Sequence, residues 1–166
     1  MPLLYYDDRF MASRVELKKL GTKLKKAHGA LENFRESKAQ GFFDLPYDRK
    51  QVSNTQKLAQ DFARRFSRLV VIGIGGSVFG GRLLVDALGK DKRSVTFLEN
   101  PDPESVARFF GGLETKKTGL LVISKSGGTI EPVSLFLLVL DRFIKTIGKE
   151  AHKKHVLFNT DAQEGF

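Results

Sequence analysis

Two short stretches hold most of the groups suited to binding an anion. The first, Gly73-Ile-Gly-Gly-Ser-Val-Phe-Gly-Gly81, has five glycines in nine residues and one hydroxyl, Ser77. Glycines let the backbone come close to a ligand, and a helix start just after them would offer free N–H groups and a positive dipole end. The second, Ser124-Lys125-Ser126-Gly127-Gly128-Thr129, sets three hydroxyls and an ammonium together, with Ile130-Glu131-Pro132 directly after. Hydroxyls, backbone N–H groups and a point cation are the donors that a phosphate monoester needs. Other phosphate-binding patterns fit less well. A P-loop needs Gly at position 124, which is Ser, and another Gly five residues earlier. The dinucleotide fingerprint G-x-G-x-x-G starts at Gly73 and Gly75, and Glu99 stands where a ribose-binding acid belongs, but position 78 is Val.

The elements around these stretches must place them side by side. Leu69–Ile74 is a continuous apolar, β-branched run, the pattern of a strand buried on both faces. A helix through Leu83, Leu84, Val85, Ala87 and Leu88 follows, ending at Gly89. Ser94–Leu98 reads as a strand, Pro103–Phe110 as a short helix with Pro in its first turn, and Gly119–Ser124 as a strand. Thr129–Ile147 reads as a long helix and His155–Asn159 as a fourth strand. This alternation predicts an α/β fold: a parallel sheet with right-handed crossovers and helices on both faces. Ligands in such sheets bind beyond the C-terminal ends of the strands, where both stretches fall.

Ahead of the sheet, residues 1–66 read as a helical extension to a domain of residues 67–166. Ser13-Arg-Val-Glu16 has the form of a capping box. Leu17, Leu20, Leu24, Ala27, Leu31 and Phe34 then make a narrow stripe on a helix over 14–39, expected to lie against the rest of the protein. Residues 41–55 read as a connection, and a second helix is expected over 54–66 with Leu58, Ala59, Phe62 and Phe66 on one side.

Composition narrows the chemistry. The 166 residues include no Cys and three His (His28, His152, His155), which argues against disulfide scaffolds, thiol catalysis and Cys- or multi-His metal sites. His28 reads as part of the first helix, and His152 and His155 as surface residues flanking Lys153 and Lys154. The apolar runs are far shorter than the roughly 18–20 residues of a membrane span. No basic start followed by an apolar run marks a signal peptide, so a soluble cytoplasmic protein is expected. The net charge is +9, and residues 1–66 carry most of it, with 14 Lys+Arg against 8 Asp+Glu. Lys18, Lys19, Lys23, Lys25 and Lys26 among leucines fit a solvated amphipathic face, and no nucleic-acid-binding signature accompanies them.

The two loops also carry a resemblance. Ile72-Gly-Ile-Gly-Gly-Ser77 together with Val122-Ile-Ser-Lys-Ser-Gly-Gly-Thr-Ile-Glu131 resembles the glucose-6-phosphate isomerase family, in its first sugar-isomerase (SIS) domain. Gly41-Phe-Phe-Asp-Leu-Pro46, Asn100-Pro-Asp-Pro103 and Asn159-Thr-Asp161 agree, so the likeness covers about residues 41–166.

The resemblance implies a flavodoxin-like three-layer sandwich and a hexose 6-phosphate site with no cofactor and no metal. It places Ser77 on the ligand and gives the phosphate to Ser124, Lys125, Ser126 and Thr129, with Gly75 and Gly76 letting the sugar lie close. Glu131 matches the family's Glu that partners a His supplied from elsewhere, and is the candidate catalytic residue. Gly128 departs from the family, where many members have Thr. The family's Gly-Gly-Arg motif, a further Glu, a His and a Lys lie beyond the part matched here. The expectation is therefore an N-terminal portion of an aldose–ketose isomerase of glycolysis and gluconeogenesis, inactive alone and homodimeric at full length. It is expected to have neither nucleic-acid nor membrane partners. The alternatives are a non-catalytic module that senses a sugar phosphate and a nicotinamide-dependent dehydrogenase domain.

Overall fold

The computed structural model describes residues 14–39, 41–89 and 94–160. It divides into two compact units, Met1–Thr55 and Gln56–Phe166.

In the first unit, α1 (Arg14–Glu36) occupies the expected helix but stops three residues early. There the Ser37 hydroxyl donates to the Phe34 carbonyl, and Lys38 turns to φ +54°. Within this unit Leu20, Leu24, Leu31 and Phe34 of the apolar stripe are exposed. The Phe34 ring meets Phe43 edge-on, and Phe42 and Phe43 stack. Residues 41–47, read as a plain connection, form two single 3-10 turns, Gly41–Phe43 and Leu45–Tyr47. The next helix, α2 (Arg49–Arg65), belongs to the first unit up to Thr55 and to the second from Gln56, and starts five residues earlier than expected. Asp48 causes this, because its carboxylate accepts the Gln51 N–H at 2.9 Å and caps the first turn. The proposed capping box of α1 rests on Ser13, which lies outside the described residues.

The second unit is built on four parallel strands: β1 (Arg68–Ile72), β2 (Ser94–Leu98), β3 (Thr118–Ile123) and β4 (Val156–Asn159). Their spatial order is β2-β1-β3-β4. The helices between them are α3 (Gly76–Leu88), α4 (Pro103–Gly111), α5 (Ile130–Ile147) and the short α6 (Ala151–His155). Side chains alternate across each strand and divide the core into two layers. Val70, Ile72, Leu98, Leu120 and Val122 share one cluster with Val106 of α4 and with Leu135, Val139 and Phe143 of α5. On the other face Phe62 and Phe66 press on Gly119, where an added Cβ would lie 2.1 Å from the Phe62 ring. On that face too, Gly81 of α3 sits over the Phe97 ring. Helices therefore cover both faces of a parallel sheet, which is the three-layer architecture expected.

One residue near the sheet departs from expectation. His155, read as a surface residue, is buried. A final turn of helix, α6, carries it inward, and the strand begins only at Val156. Its Nδ1 lies 2.9 Å from the Thr118 carbonyl oxygen, and its ring packs against Phe66 and Phe143. The hydrogen bond is what allows a polar ring in this apolar layer.

Candidate functional site

The sheet order marks one place where open parallel sheets form a crevice. From β1 the chain moves outward to β2, then returns to the other side of β1 to form β3. The gap between the C-terminal ends of β1 and β3 is therefore a topological switch point, the place where parallel open sheets leave a crevice. Ile72 pairs with Val122, so the glycine loop and the serine–lysine loop leave neighbouring strands side by side.

The first loop is shaped by its glycines. Gly73 is tightly enclosed: an added Cβ would meet the Ile123 carbonyl oxygen at 3.0 Å, Ser77 Cβ at 3.2 Å and Val78 at 3.3 Å. Gly75 has φ +53° and ψ −125°, the geometry of the first central position of a type II′ turn, which strongly favours glycine. The Ile74 carbonyl closes that turn by accepting the Ser77 N–H at 3.1 Å. Gly75 is also the N-cap of α3, so no side chain blocks the helix end. Gly76 is open on its outer side, with nothing within 4 Å of an added Cβ. Ser77 is half-buried in the first turn. Val78, the residue that breaks the dinucleotide fingerprint, is fully buried.

The second loop is held by its own hydroxyls. Ser124 is buried, and its Oγ accepts the Gly127 N–H at 3.2 Å, which folds the turn and leaves its own proton to donate. Gly127 has φ +69°. Ser126 Oγ accepts the Gly128 N–H at 3.2 Å and lies 3.5 Å from Thr129 Oγ1. Lys125 is exposed and makes no ion pair among the described residues. Thr129 occupies the N-cap of α5 with extended backbone, yet its hydroxyl makes no capping bond. Pro132 has no N–H and Val133 donates to the Thr129 carbonyl, so the open donors at the start of α5 are the Ile130 and Glu131 N–H groups, which have no partner among the described residues. Glu131, half-buried, follows in the first turn of that helix.

Around the site, two further motifs are structural. Asn100-Pro-Asp-Pro103 is the cap of α4: the Asn100 side chain accepts the Asp102 N–H, and Asp102 accepts the Ser105 N–H at 2.9 Å. The Ser105 bonds hold the Asp102 carboxyl below its ordinary pKa. Glu99 pairs with Arg82 of α3, whose guanidinium also lies 5.9 Å from the Phe97 ring centroid. With its charge met by Arg82, Glu99 is a weaker candidate for a ribose hydroxyl. A cleft of about 370 Å³ between β2 and α4, lined by Thr96, Leu98, Asn100, Ser105 and Phe109, lies off to one side. The two loops instead form an open shelf on which Gly76, Lys125, Ser126 and Gly128 are exposed.

Residues 52–164 match the family described as phosphoglucose isomerase. The chain belongs to this family. It is 34% identical over 151 residues to the glucose-6-phosphate isomerase of Carboxydothermus hydrogenoformans, covering 82% of this chain and 32% of that one. With the glucose-6-phosphate isomerase of Leptospira biflexa serovar Patoc the identity is 31%, over 99% of this chain and 40% of the relative. Among solved structures, a hypothetical protein from Thermus thermophilus superposes with a TM-score of 0.83 over 98% of this chain and 40% of that one, at 28% identity. A glucose-6-phosphate isomerase from Chlamydia trachomatis superposes with a TM-score of 0.58 over 64% of this chain and 22% of its own, also at 28% identity. The chain thus spans between about a third and two fifths of the length of these curated relatives.

Within the phosphoglucose isomerase frame, the two loops quoted for the family leave neighbouring strands at the switch point. One contact at the shelf goes beyond what the sequence suggests. Thr160, just past β4, donates its hydroxyl to the Lys125 carbonyl at 3.2 Å. In the sequence Thr160 stands out as the middle of Asn159-Thr-Asp161, which resembles the family, but nothing there points to the Lys125 carbonyl.

Proposed function

We propose that this chain supplies the phosphate-binding side of an aldose–ketose isomerase site for glucose 6-phosphate and fructose 6-phosphate. The observation that carries this reading is the pair of anion-suited loops flanking the β1/β3 switch point, in a chain of the phosphoglucose isomerase family. Lys125, the hydroxyls of Ser124, Ser126 and Thr129, and the open start of α5 form a donor set that suits a phosphate dianion. Ser77 and the bare backbone at Gly75 and Gly76 receive the sugar from the β1 side.

Isomerisation moves a proton between C2 and C1 of the open-chain sugar and needs a base there, plus stabilisation of the enediolate oxygen. Glu131 stands at the end of the shelf as the carboxylate that would orient a histidine brought to it. His152 faces the Lys149 carbonyl and His155 is buried between aromatic rings, so neither serves. The 166-residue chain is therefore proposed to bind hexose phosphates and not to interconvert them. At full length, the enzyme is proposed to work as a cytoplasmic homodimer, without a metal or organic cofactor.

The test is thermal stabilisation of the chain by 6-phosphogluconate, compared with Lys125→Ala and Ser126→Ala. Each lost hydrogen bond to a charged group is worth about 1.5–3 kcal/mol, so each change should weaken binding by roughly ten- to a hundredfold. Stabilisation equal to that of the parent chain in both variants would move the phosphate elsewhere. Turnover of fructose 6-phosphate by the purified 166 residues would refute the division of labour.

A further inference from the structure

We infer that Thr160 is a positioning residue that aims the Lys125–Ser126 peptide at the bound phosphate; this rests on the phosphate site proposed above. β4 grips the start of the serine–lysine loop at two consecutive points. The Ser124 N–H donates to the Asn159 carbonyl at 3.1 Å, continuing the parallel ladder one step past the strand end. One residue later, the Thr160 hydroxyl takes the Lys125 carbonyl at 3.2 Å. In a trans peptide the carbonyl oxygen and the following N–H point in opposite directions. Fixing the Lys125 carbonyl toward β4 therefore turns the Ser126 N–H away from it. That N–H has no hydrogen-bond partner among the described residues.

The rest of the turn fits this role. Gly127 and Gly128 already give their N–H groups to Ser124 and Ser126 within the loop. The Ser126 N–H is thus the one amide of the turn between Ser126 and Gly128 left for a ligand. A carbonyl that turned the other way would present a negative dipole to the phosphate in place of a donor. Thr160 removes that alternative from outside the loop. It needs no contact with the ligand to do so.

The test measures inorganic phosphate and 6-phosphogluconate affinity for the parent chain, Thr160→Val and Thr160→Ser. Val keeps the shape and removes the hydroxyl; Ser keeps the hydroxyl. One net hydrogen bond corresponds to about a fivefold change in affinity. Thr160→Val should bind about fivefold more weakly, and Thr160→Ser should bind like the parent. At saturating phosphate the Ser126 amide resonance should move far downfield in the parent and the Ser variant, as a direct donor does, and by clearly less in the Val variant. Unliganded melting temperatures of all three show whether folding has changed, and the amide readout holds even if it has. Equal affinity of the parent and Val chains would overturn the inference, as would a Ser variant as weak as the Val variant. If the parent itself binds neither ligand, it is the phosphate site that fails, a result distinct from failure of the variants.

Discussion

Gly73 and Ile123 approach closely across the ends of β1 and β3: a Cβ on Gly73 would lie 3.0 Å from the Ile123 carbonyl oxygen. This contact lets the two loops leave the sheet as neighbours. Gly73→Ala must push against that carbonyl and against Ser77 and Val78, and none of these is the end of a long flexible side chain. Such overpacking costs about 1–3 kcal/mol. The change should lower the midpoint of chemical denaturation and also weaken 6-phosphogluconate binding, because strain relief spreads the loops. An unchanged midpoint would show that the strand ends yield easily.

Gly75→Ala tests a different property of the same loop. There is open space around Gly75, but its φ of +53° with ψ −125° is a conformation that L side chains rarely adopt. Strain of this kind costs about 1–3 kcal/mol. Gly76→Ala, which has equally open space and no positive φ, should cost far less. Equal denaturation midpoints for the two variants would contradict the turn geometry.

Phe143 of α5 is fully buried in the layer that holds α4 and α5 on the sheet. Phe143→Ala should cost about 3–5 kcal/mol, read from the midpoint of urea unfolding. Its ring also packs against His155, so the variant should expose that imidazole to solvent, detectable as a changed His155 resonance.

Acid should destabilise the second unit. Glu114 accepts the Lys117 ammonium at 2.6 Å and faces Arg68 at 2.5 Å, and these contacts hold its carboxyl below its ordinary pKa. Asp102 is lowered by its bonds to Ser105. For a group whose folded pKa is depressed, the stabilisation is complete above the unfolded value and is lost as pH falls through the folded one. The melting temperature should therefore be insensitive to these groups above about pH 5, and fall as pH drops below about 4. Glu114→Gln with Asp102→Asn should flatten that part of the curve. An acid limb of unchanged steepness would assign it to other carboxylates.

Much of this architecture was legible in the chain. Four apolar segments alternating with helical ones specify a parallel sheet, because short runs such as Leu69–Ile72 suit burial on both faces. The candidate site was legible for the same reason, since glycines and hydroxyls interrupt the pattern where strands β1 and β3 end. What escaped depends on single contacts that leave no periodic trace. Asp48 starts α2 through one hydrogen bond, yet in the sequence it is one more polar residue in a turn. His155 is drawn inside by the Thr118 carbonyl, 37 residues earlier in the chain. The α1 stripe has the right spacing for burial, but spacing alone does not specify a partner surface.

The most direct measurement is a titration of the ¹⁵N-labelled chain with fructose 6-phosphate, followed amide by amide. The account predicts the largest shifts at Gly75–Ser77 and Ser124–Glu131, on both sides of the β1/β3 switch point, with little change at Thr96–Asn100 in the β2/α4 cleft. Shifts concentrated in that cleft, or in only one of the two loops, would contradict a sugar phosphate held between them.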